Sequence, residues 1–142
     1  MFFKNLENKN IILASGSPRR QELFKTLKIP FKIIVKEVDE TYSNTLKGIE
    51  ITDFLAKKKA AKFSNILTQN DIVITSDTIV WFNNKPMEKP KSINQSKQML
   101  YQLSNSSHKV FTSICIKTFN SEIIISDETT VYFEELSSEL ID

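Results

Sequence analysis

The chain changes hydrophobic period several times, and each change marks an element. "NIILAS" (Asn10–Ser15) is a short apolar run that predicts a buried strand. Behind it, Leu23, Phe24 and Leu27 fall at helical spacing. Ser17 is placed to cap that helix, and Pro18 suits its first position. Pro30 follows the helix, and "FKIIV" (Phe31–Val35) reads as a second strand. "KEVDETYSNTLKG" (Lys36–Gly48) is polar and reads as a loop. "ITDFLAKKKAAKFSNIL" (Ile51–Leu67) returns to the helical period and puts Phe54, Leu55, Ala61 and Ile66 near one face. "DIVITS" (Asp71–Ser76) predicts a buried strand with Asp77 at its carboxyl end, and "TIVWF" continues extended. "NNKP" is a turn signal. Ser92 with Gln95 forms a capping-box pattern for a helix carrying Met99, Leu100 and Leu103. The remainder reads as strands: "KVFTSICIKTF", a turn at Asn120–Ser121, "EIIIS" and "TTVYFEEL".

This order, β-α-β-α-β-β-α-β-β-β, predicts an α/β domain with a mixed sheet. "LSSELID" (Leu136–Asp142) reads as a helix start, with Ser137 or Ser138 as cap and Leu140 and Ile141 behind it. A lone helical turn is not stable in isolation. The expectation is that this end frays or that the sequence lacks a further part.

Composition narrows the class. The 142 residues suffice for one domain with its own core. The net charge of +2 is too weak to argue for nucleic acid or a membrane surface. No apolar run approaches the roughly 20 residues of a membrane span, and "MFFKNLENKN" lacks the apolar stretch of a secretory leader. Cys115 is the only cysteine, so an intrachain disulfide is excluded and a cytoplasmic location is the simplest expectation. Glycine is scarce: Gly16 and Gly48 stand where ordinary usage would give roughly ten. A chain this sparing is expected to need Gly16 for a tight turn or for close approach of a ligand.

Gly16 lies in "LASGSPRRQEL" (Leu13–Leu23), the first candidate for chemistry. A strand, a turn and a helix start present free backbone N–H groups and the positive end of a helix dipole. Ser15 and Ser17 add hydroxyls, and Arg19 and Arg20 add guanidinium forks suited to phosphate oxygens. Two arginines oppose the dipole unless an anion joins them. The bland reading is a solvated first turn. No G-x-x-x-x-G-K is present, so this is not a Walker loop.

Acids form the second set. Asp77 is embedded in the apolar "VITSDTIV", at a strand end of the kind α/β enzymes use for catalysis. Glu40 with Asp77 could hold Mg²⁺ while phosphates supply other ligands. Glu37 and Asp39 read as solvated loop residues. Lys57, Lys58, Lys59 and Lys62 read mainly as a solvated helix face from which one can point into a site, and Lys89 reads either way. His108 and Cys115 read as structural.

In this order "LASGSPRRQEL", "EVDE", "LAKKKA", "SDTIV", "EKP", "QMLYQLSNSSHKVFTS" and "TTVYFEEL" resemble the signature segments of the Maf-like nucleotide pyrophosphatases, a family first named for septum formation. The resemblance covers essentially the whole chain. It implies a fold like the inosine-triphosphate pyrophosphatases, with a mixed twisted sheet flanked by helices and a cleft between two lobes. It implies hydrolysis of a nucleoside triphosphate to the monophosphate and pyrophosphate with a divalent cation, Mg²⁺ or Mn²⁺. Asp77 matches the family's proton acceptor, and Arg19 and Thr78 match positions linked to substrate choice. Ser15, Ser17, Arg20, Lys59 and Lys89 match the polar cleft, and Glu40 matches the acid near metal and phosphates. "GSPRR" with "SDT" resembles the branch acting on dTTP and UTP.

Family members continue into a "DKAGAYGIQG"-like segment, which implies that residues 1–142 form a single Maf-like domain without its C-terminal part. Three expectations follow. The chain is a dTTP/UTP pyrophosphatase, or a nucleotide-binding regulatory protein linked to septum formation and inactive without that segment, or a fragment. A fragment with an exposed apolar patch would dimerise or aggregate, which leaves a homodimer open.

Overall fold

The computed structural model of the chain describes residues 6–141. Residues 1–5, which begin the segment read above for a leader, and Asp142 lie outside the described residues. A six-stranded mixed sheet carries the fold. Strand β1 (Asn10–Leu13) pairs in parallel with β2 (Lys32–Ile33) and with β3 (Asp71–Phe82), in the register Asn10↔Asp71 to Leu13↔Ile74. On its other side β3 runs antiparallel to β5 (Ser107–Lys117), from Val73↔Lys117 to Trp81↔Lys109. Strand β6 (Glu122–Tyr132) pairs antiparallel with β5 along its full length. The short β4 (Lys85–Met87) folds back on Val80–Phe82. Asn83 and Asn84 form that turn with φ of 53° and 62°, which asparagine tolerates better than most residues. The mixed α/β class predicted from the element order is therefore the one observed.

Helix α2 (Ile49–Ala61) covers one face of β3, β5 and β6. Its buried residues are Ile51, Thr52, Leu55, Ala56 and Ala60. Ala56 and Ala60 let the helix sit close over Cys115, with Ile124 packed alongside. Beyond the helix end, Phe63 and Leu67 join Ile12 and Val73 in a second cluster. The polar groups caught beneath α2 are paired: Thr75 Oγ1 donates to the Ala56 carbonyl at 2.6 Å, and Thr52 Oγ1 lies 2.6 Å from Ser113 Oγ. Ser113 and Ser126 both donate to Asp53. The opposite face of the sheet leaves Ile114, Ile123 and Ile125 exposed.

Several local expectations change. Helix α1 (Pro18–Lys25) has its predicted Ser17 cap, yet it buries none of its residues, and Leu23 and Leu27 are exposed. The second strand shrinks from Phe31–Val35 to two residues at the sheet edge. The face of α2 also differs: Phe54 and Ile66 are exposed, and the chain leaves the helix at Lys62 before Ile66 can join it. The segments around "DIVITS" and "TIVWF" form one 12-residue strand, so Asp77 stands in mid-strand. Continuous pairing with β5 is the reason. "EIIIS" and "TTVYFEEL" likewise merge into β6 under β5's ladder. Helix α3 (Ile93–Leu103) follows its Ser92 cap, which accepts from Gln95 N at 3.1 Å, and it buries Leu103. The last turn, α4 (Ser138–Ile141), is capped by Ser137 and buries Ile141, so packing holds a turn that would fray alone.

Candidate active site

The site opens where β1 stops and β3 continues. The last bond of the parallel ladder runs from Ala14 N to the Ile74 carbonyl, and β4 rejoins β3 only at Val80. Between them the Ser76 carbonyl faces no neighbouring strand. Two cations serve it instead: Lys59 Nζ donates at 3.0 Å and Arg20 Nη1 at 3.3 Å. One residue on, the strand alternation that turns Val73 and Thr75 toward α2 does the same for Asp77. The chain thus buries a carboxylate at a position where alternation calls for an apolar residue.

Asp77 is 7% exposed. Its Oδ1 accepts from Lys59 Nζ at 3.1 Å, while the buried Oδ2 has no partner. Burial pushes the Asp77 carboxyl above the ordinary aspartate range, Glu40 adds to the rise, and Lys59 and Arg20 oppose it. Lys59 also lies 3.4 Å from Glu40 Oε1, so one ammonium stands between the two acids. The pattern Lys57, Lys58, Lys59 and Lys62 reads mainly as a solvated face from which one can point into a site, and that one is Lys59. The helix turns Lys59 to the border of the buried face, one position before Ala60.

The first turn of α1 forms the opposite wall. Ser15 Oγ accepts from Ser17 N at 3.2 Å, and Ser17 Oγ accepts from Arg20 N at 3.4 Å. Both hydroxyls keep their own protons for donation. Gln21 Nε2 donates to the Ser15 carbonyl at 2.8 Å and ties the turn to the helix. Arg20 reaches β3 with Nη2 on Thr78 Oγ1 at 3.0 Å, and Thr78 is also held by Thr112 Oγ1 at 3.1 Å. A guanidinium has five N–H donors, so this bracing leaves part of the fork for an anion.

A cavity of about 360 Å³ lies between these walls. Ser15, Gly16, Ser17 and Arg20 line it from the α1 side, and Glu40, Lys59 and Lys89 line it from elsewhere in the chain. Six of the candidate residues, Ser15, Ser17, Arg20, Glu40, Lys59 and Lys89, therefore converge on one space. Asp77 stands behind Lys59 and Thr78 behind Arg20. Arg19 is exposed and is not among the lining residues. Asp39 makes a local turn with Thr41, whose backbone N–H holds its carboxyl below the ordinary range. That agrees with its reading as a loop residue.

Lys36 and Phe63 also line the cavity without any signal in the sequence. Lys36 lies 5.0 Å from the Phe63 ring centroid and donates to the Lys62 carbonyl at 3.3 Å. No local pattern distinguishes either one, because the two meet only through the tertiary fold. Tyr42 does not line the cavity but lies near its acids: burial raises its phenol, and the charges of Glu88 and Asp77 add to the rise.

The donor set suits a hard divalent cation. Asp77 Oδ2 is an orphaned buried oxygen, and Glu40 supplies a second carboxylate across Lys59. Oxygen ligands are what Mg²⁺ and Mn²⁺ prefer. Among the described residues no group of three or more His, Cys, Asp or Glu side chains is assembled. No helix among them is long and apolar enough to cross a membrane.

The Maf family, described as Maf-like protein, matches residues 10–142. The chain is 50% identical to a dTTP/UTP pyrophosphatase of Flavobacterium psychrophilum over 141 residues, covering 99% of this chain and 72% of that protein. It is 48% identical to the dTTP/UTP pyrophosphatase of Flavobacterium johnsoniae, again over 99% of the chain and 73% of that protein. Among solved structures, the Staphylococcus aureus Ham1 protein shares the fold with a TM-score of 0.63 at 17% identity, over 87% of this chain and 71% of that one.

Proposed function

The chain belongs to the Maf-like family, and from that membership we propose that it is a nucleoside triphosphate pyrophosphatase acting on dTTP and UTP. The observation that carries this reading is the 50% identity, across 99% of the chain, to a relative named for that activity. The convergence of four cations, Arg20, Lys36, Lys59 and Lys89, on a cavity with Asp77 buried behind Lys59 supports it. The relatives' activity favours turnover over a non-catalytic nucleotide-binding role.

In this reading the triphosphate enters at the α1 N-terminus. Its oxygens meet the Gly16 backbone, the Ser15 and Ser17 hydroxyls and the free donors of Arg20. Lys89 takes charge at the outer rim. Asp77 turns its free Oδ2 to a water, orients it and accepts its proton as the oxygen attacks the α-phosphorus. The bond from that phosphorus to the bridging oxygen breaks, and pyrophosphate leaves with the electron pair. A carboxyl raised by burial is a stronger base for this step than an ordinary aspartate. A divalent cation, Mg²⁺ or Mn²⁺, held by Glu40 and Asp77 would supply neutralisation of the phosphate charge. Arg19 and Thr78 are assigned to substrate choice, Thr78 through its bond to Arg20.

The test is pyrophosphate release from dTTP, UTP, CTP and 7-methyl-GTP with Mg²⁺. Release from dTTP and UTP well above the other two is expected. Equal release from all four would remove the substrate assignment, and none from any would remove the activity. Asp77→Asn is expected to lower release by roughly 10²–10⁴-fold, and full activity in that variant would reject Asp77 as the base.

A further inference from the structure

Lys59 is committed to the wrong partners for a residue that binds triphosphate. An ammonium has three donors. Here two of them meet the Ser76 carbonyl at 3.0 Å and Asp77 Oδ1 at 3.1 Å, and the ammonium also pairs with Glu40 Oε1 at 3.4 Å. Its near partners are therefore a carbonyl and two acids, the wrong set for a phosphate oxygen. The side chain is only 19% exposed, so its charge is held off water and needs these acids. The acids need it in turn: two carboxylates converging without a cation would repel, and Asp77 is already destabilised by burial.

From this arrangement we propose that Lys59 is an internal counter-cation that occupies the space between Glu40 and Asp77 in the nucleotide-free protein and gives it up when a divalent metal and a triphosphate arrive together. The inference rests on the reading of Glu40 and Asp77 as metal ligands. A metal alone must displace a positive charge that then has no acid to face. A triphosphate changes this, because the released ammonium can turn to its oxygens across the same cavity, which Lys59 already lines. Metal and nucleotide therefore bind cooperatively, and Lys59 is the coupling element. By linkage, the factor by which nucleotide tightens metal equals the factor by which metal tightens nucleotide. Arg20 shares the Ser76 carbonyl with Lys59, so that carbonyl stays satisfied when Lys59 leaves. No backbone group is orphaned by the exchange.

The experiment is a Mn²⁺ titration followed by electron paramagnetic resonance, with no turnover involved. It compares wild type, Lys59→Met, Lys59→Gln and Lys59→Arg, each with and without α,β-methylene-dTTP. Removing the charge is expected to tighten binding of Mn²⁺ alone by roughly 10-fold or more, since a cation this close alters a carboxylate's affinity by that order. Lys59→Arg keeps the charge and is expected to stay as weak as wild type. The tightening caused by the nucleotide analogue is expected in wild type and to shrink in Lys59→Met and Lys59→Gln. Should Lys59→Met fail to fold, Lys59→Gln, which keeps a polar uncharged donor, reads the same charge effect. If both uncharged variants bind Mn²⁺ alone no better than wild type, the counter-cation role is overturned while the metal site stands. If no variant binds Mn²⁺ with or without the analogue, the metal reading falls and takes this inference with it.

Discussion

Helices α1 and α2 each begin beside one of the chain's two glycines, and the two N-termini are built for opposite purposes. At α2, Gly48 is the cap, Glu50 supplies an acid in the first turn, and its Oε1 accepts from Lys47 N at 3.0 Å. An acid there complements the dipole. The helix then buries five residues against the sheet. At α1, the first turn holds no acid and two arginines, and the helix buries nothing. Its charge distribution opposes its own dipole. In the function proposed above, a helix start of this kind beside a 360 Å³ cavity suits an incoming anion.

The glycines repeat the contrast. Gly48 has φ +57° and ψ −126°, a conformation essentially reserved for glycine, and an added Cβ would meet the Phe111 ring at 3.3 Å. Gly16 has no positive φ, and its Cβ would meet only Val35 Cγ2 at 3.9 Å. The fold requires glycine at 48. At 16 the protein itself leaves room, and in the proposed function that room serves the triphosphate.

This division can be broken or sharpened at five points. The largest effect is expected for Arg20→Met. Its loss should lower kcat/KM for dTTP by roughly 10²–10³-fold, the scale of one lost charge-stabilising donor. Thermal stability should barely move, because Lys59 still serves the Ser76 carbonyl and Thr112 still holds Thr78. A large fall in Tm would place Arg20 with the structural residues instead. Next comes Gly48→Ala, expected to cost about 1–3 kcal/mol in denaturant unfolding with activity per folded molecule retained.

The third point is pH. In metal-free, nucleotide-free protein the raised Asp77 carboxyl makes the folded state bind more protons than the unfolded chain, between the ordinary aspartate pKa and the raised one. Stability should therefore fall as pH rises through that window, by about 1.4 kcal/mol for each tenfold weakening of the acid. Asp77→Asn should flatten that fall; an unchanged profile would mean the carboxyl is not raised.

Gly16→Ala is expected to leave stability unchanged or raise it by about 0.4–1 kcal/mol. It should also weaken nucleotide binding by roughly tenfold through crowding at the ligand. Unaltered affinity by calorimetry would remove Gly16 from the site. The smallest effect belongs to Glu50→Gln, with about 0.3–1 kcal/mol lost from the α2 dipole and no change in kcat or KM.

Much of this was legible along the chain. The Ser17 and Ser92 caps, the asparagine turn and the buried runs around Ile12 and Val73 are local, and the structure contains all of them. The signature segments carried the family, and six of the predicted site residues share the cavity. What escaped was set at a distance. Leu23 and Leu27 have helical spacing, yet both stay exposed, so periodicity named a face that the fold does not bury. Lys36 and Phe63 lie 27 positions apart and carry no motif.

The sequence by itself determined the Ser17 and Ser92 caps, the asparagine turn, the buried runs of β1 and β3, and that Asp77 would be an ionisable group among apolar ones. Short-range rules suffice for these, since caps, turns and alternation act within a few residues. Only the tertiary structure decided that β3 runs unbroken past Asp77 while β1 stops short at Leu13. That mismatch in strand length frees the Ser76 carbonyl and draws Arg20 and Lys59 to it beside the cavity. Strand ends depend on partners elsewhere in the chain, because a ladder persists only as long as its neighbour continues.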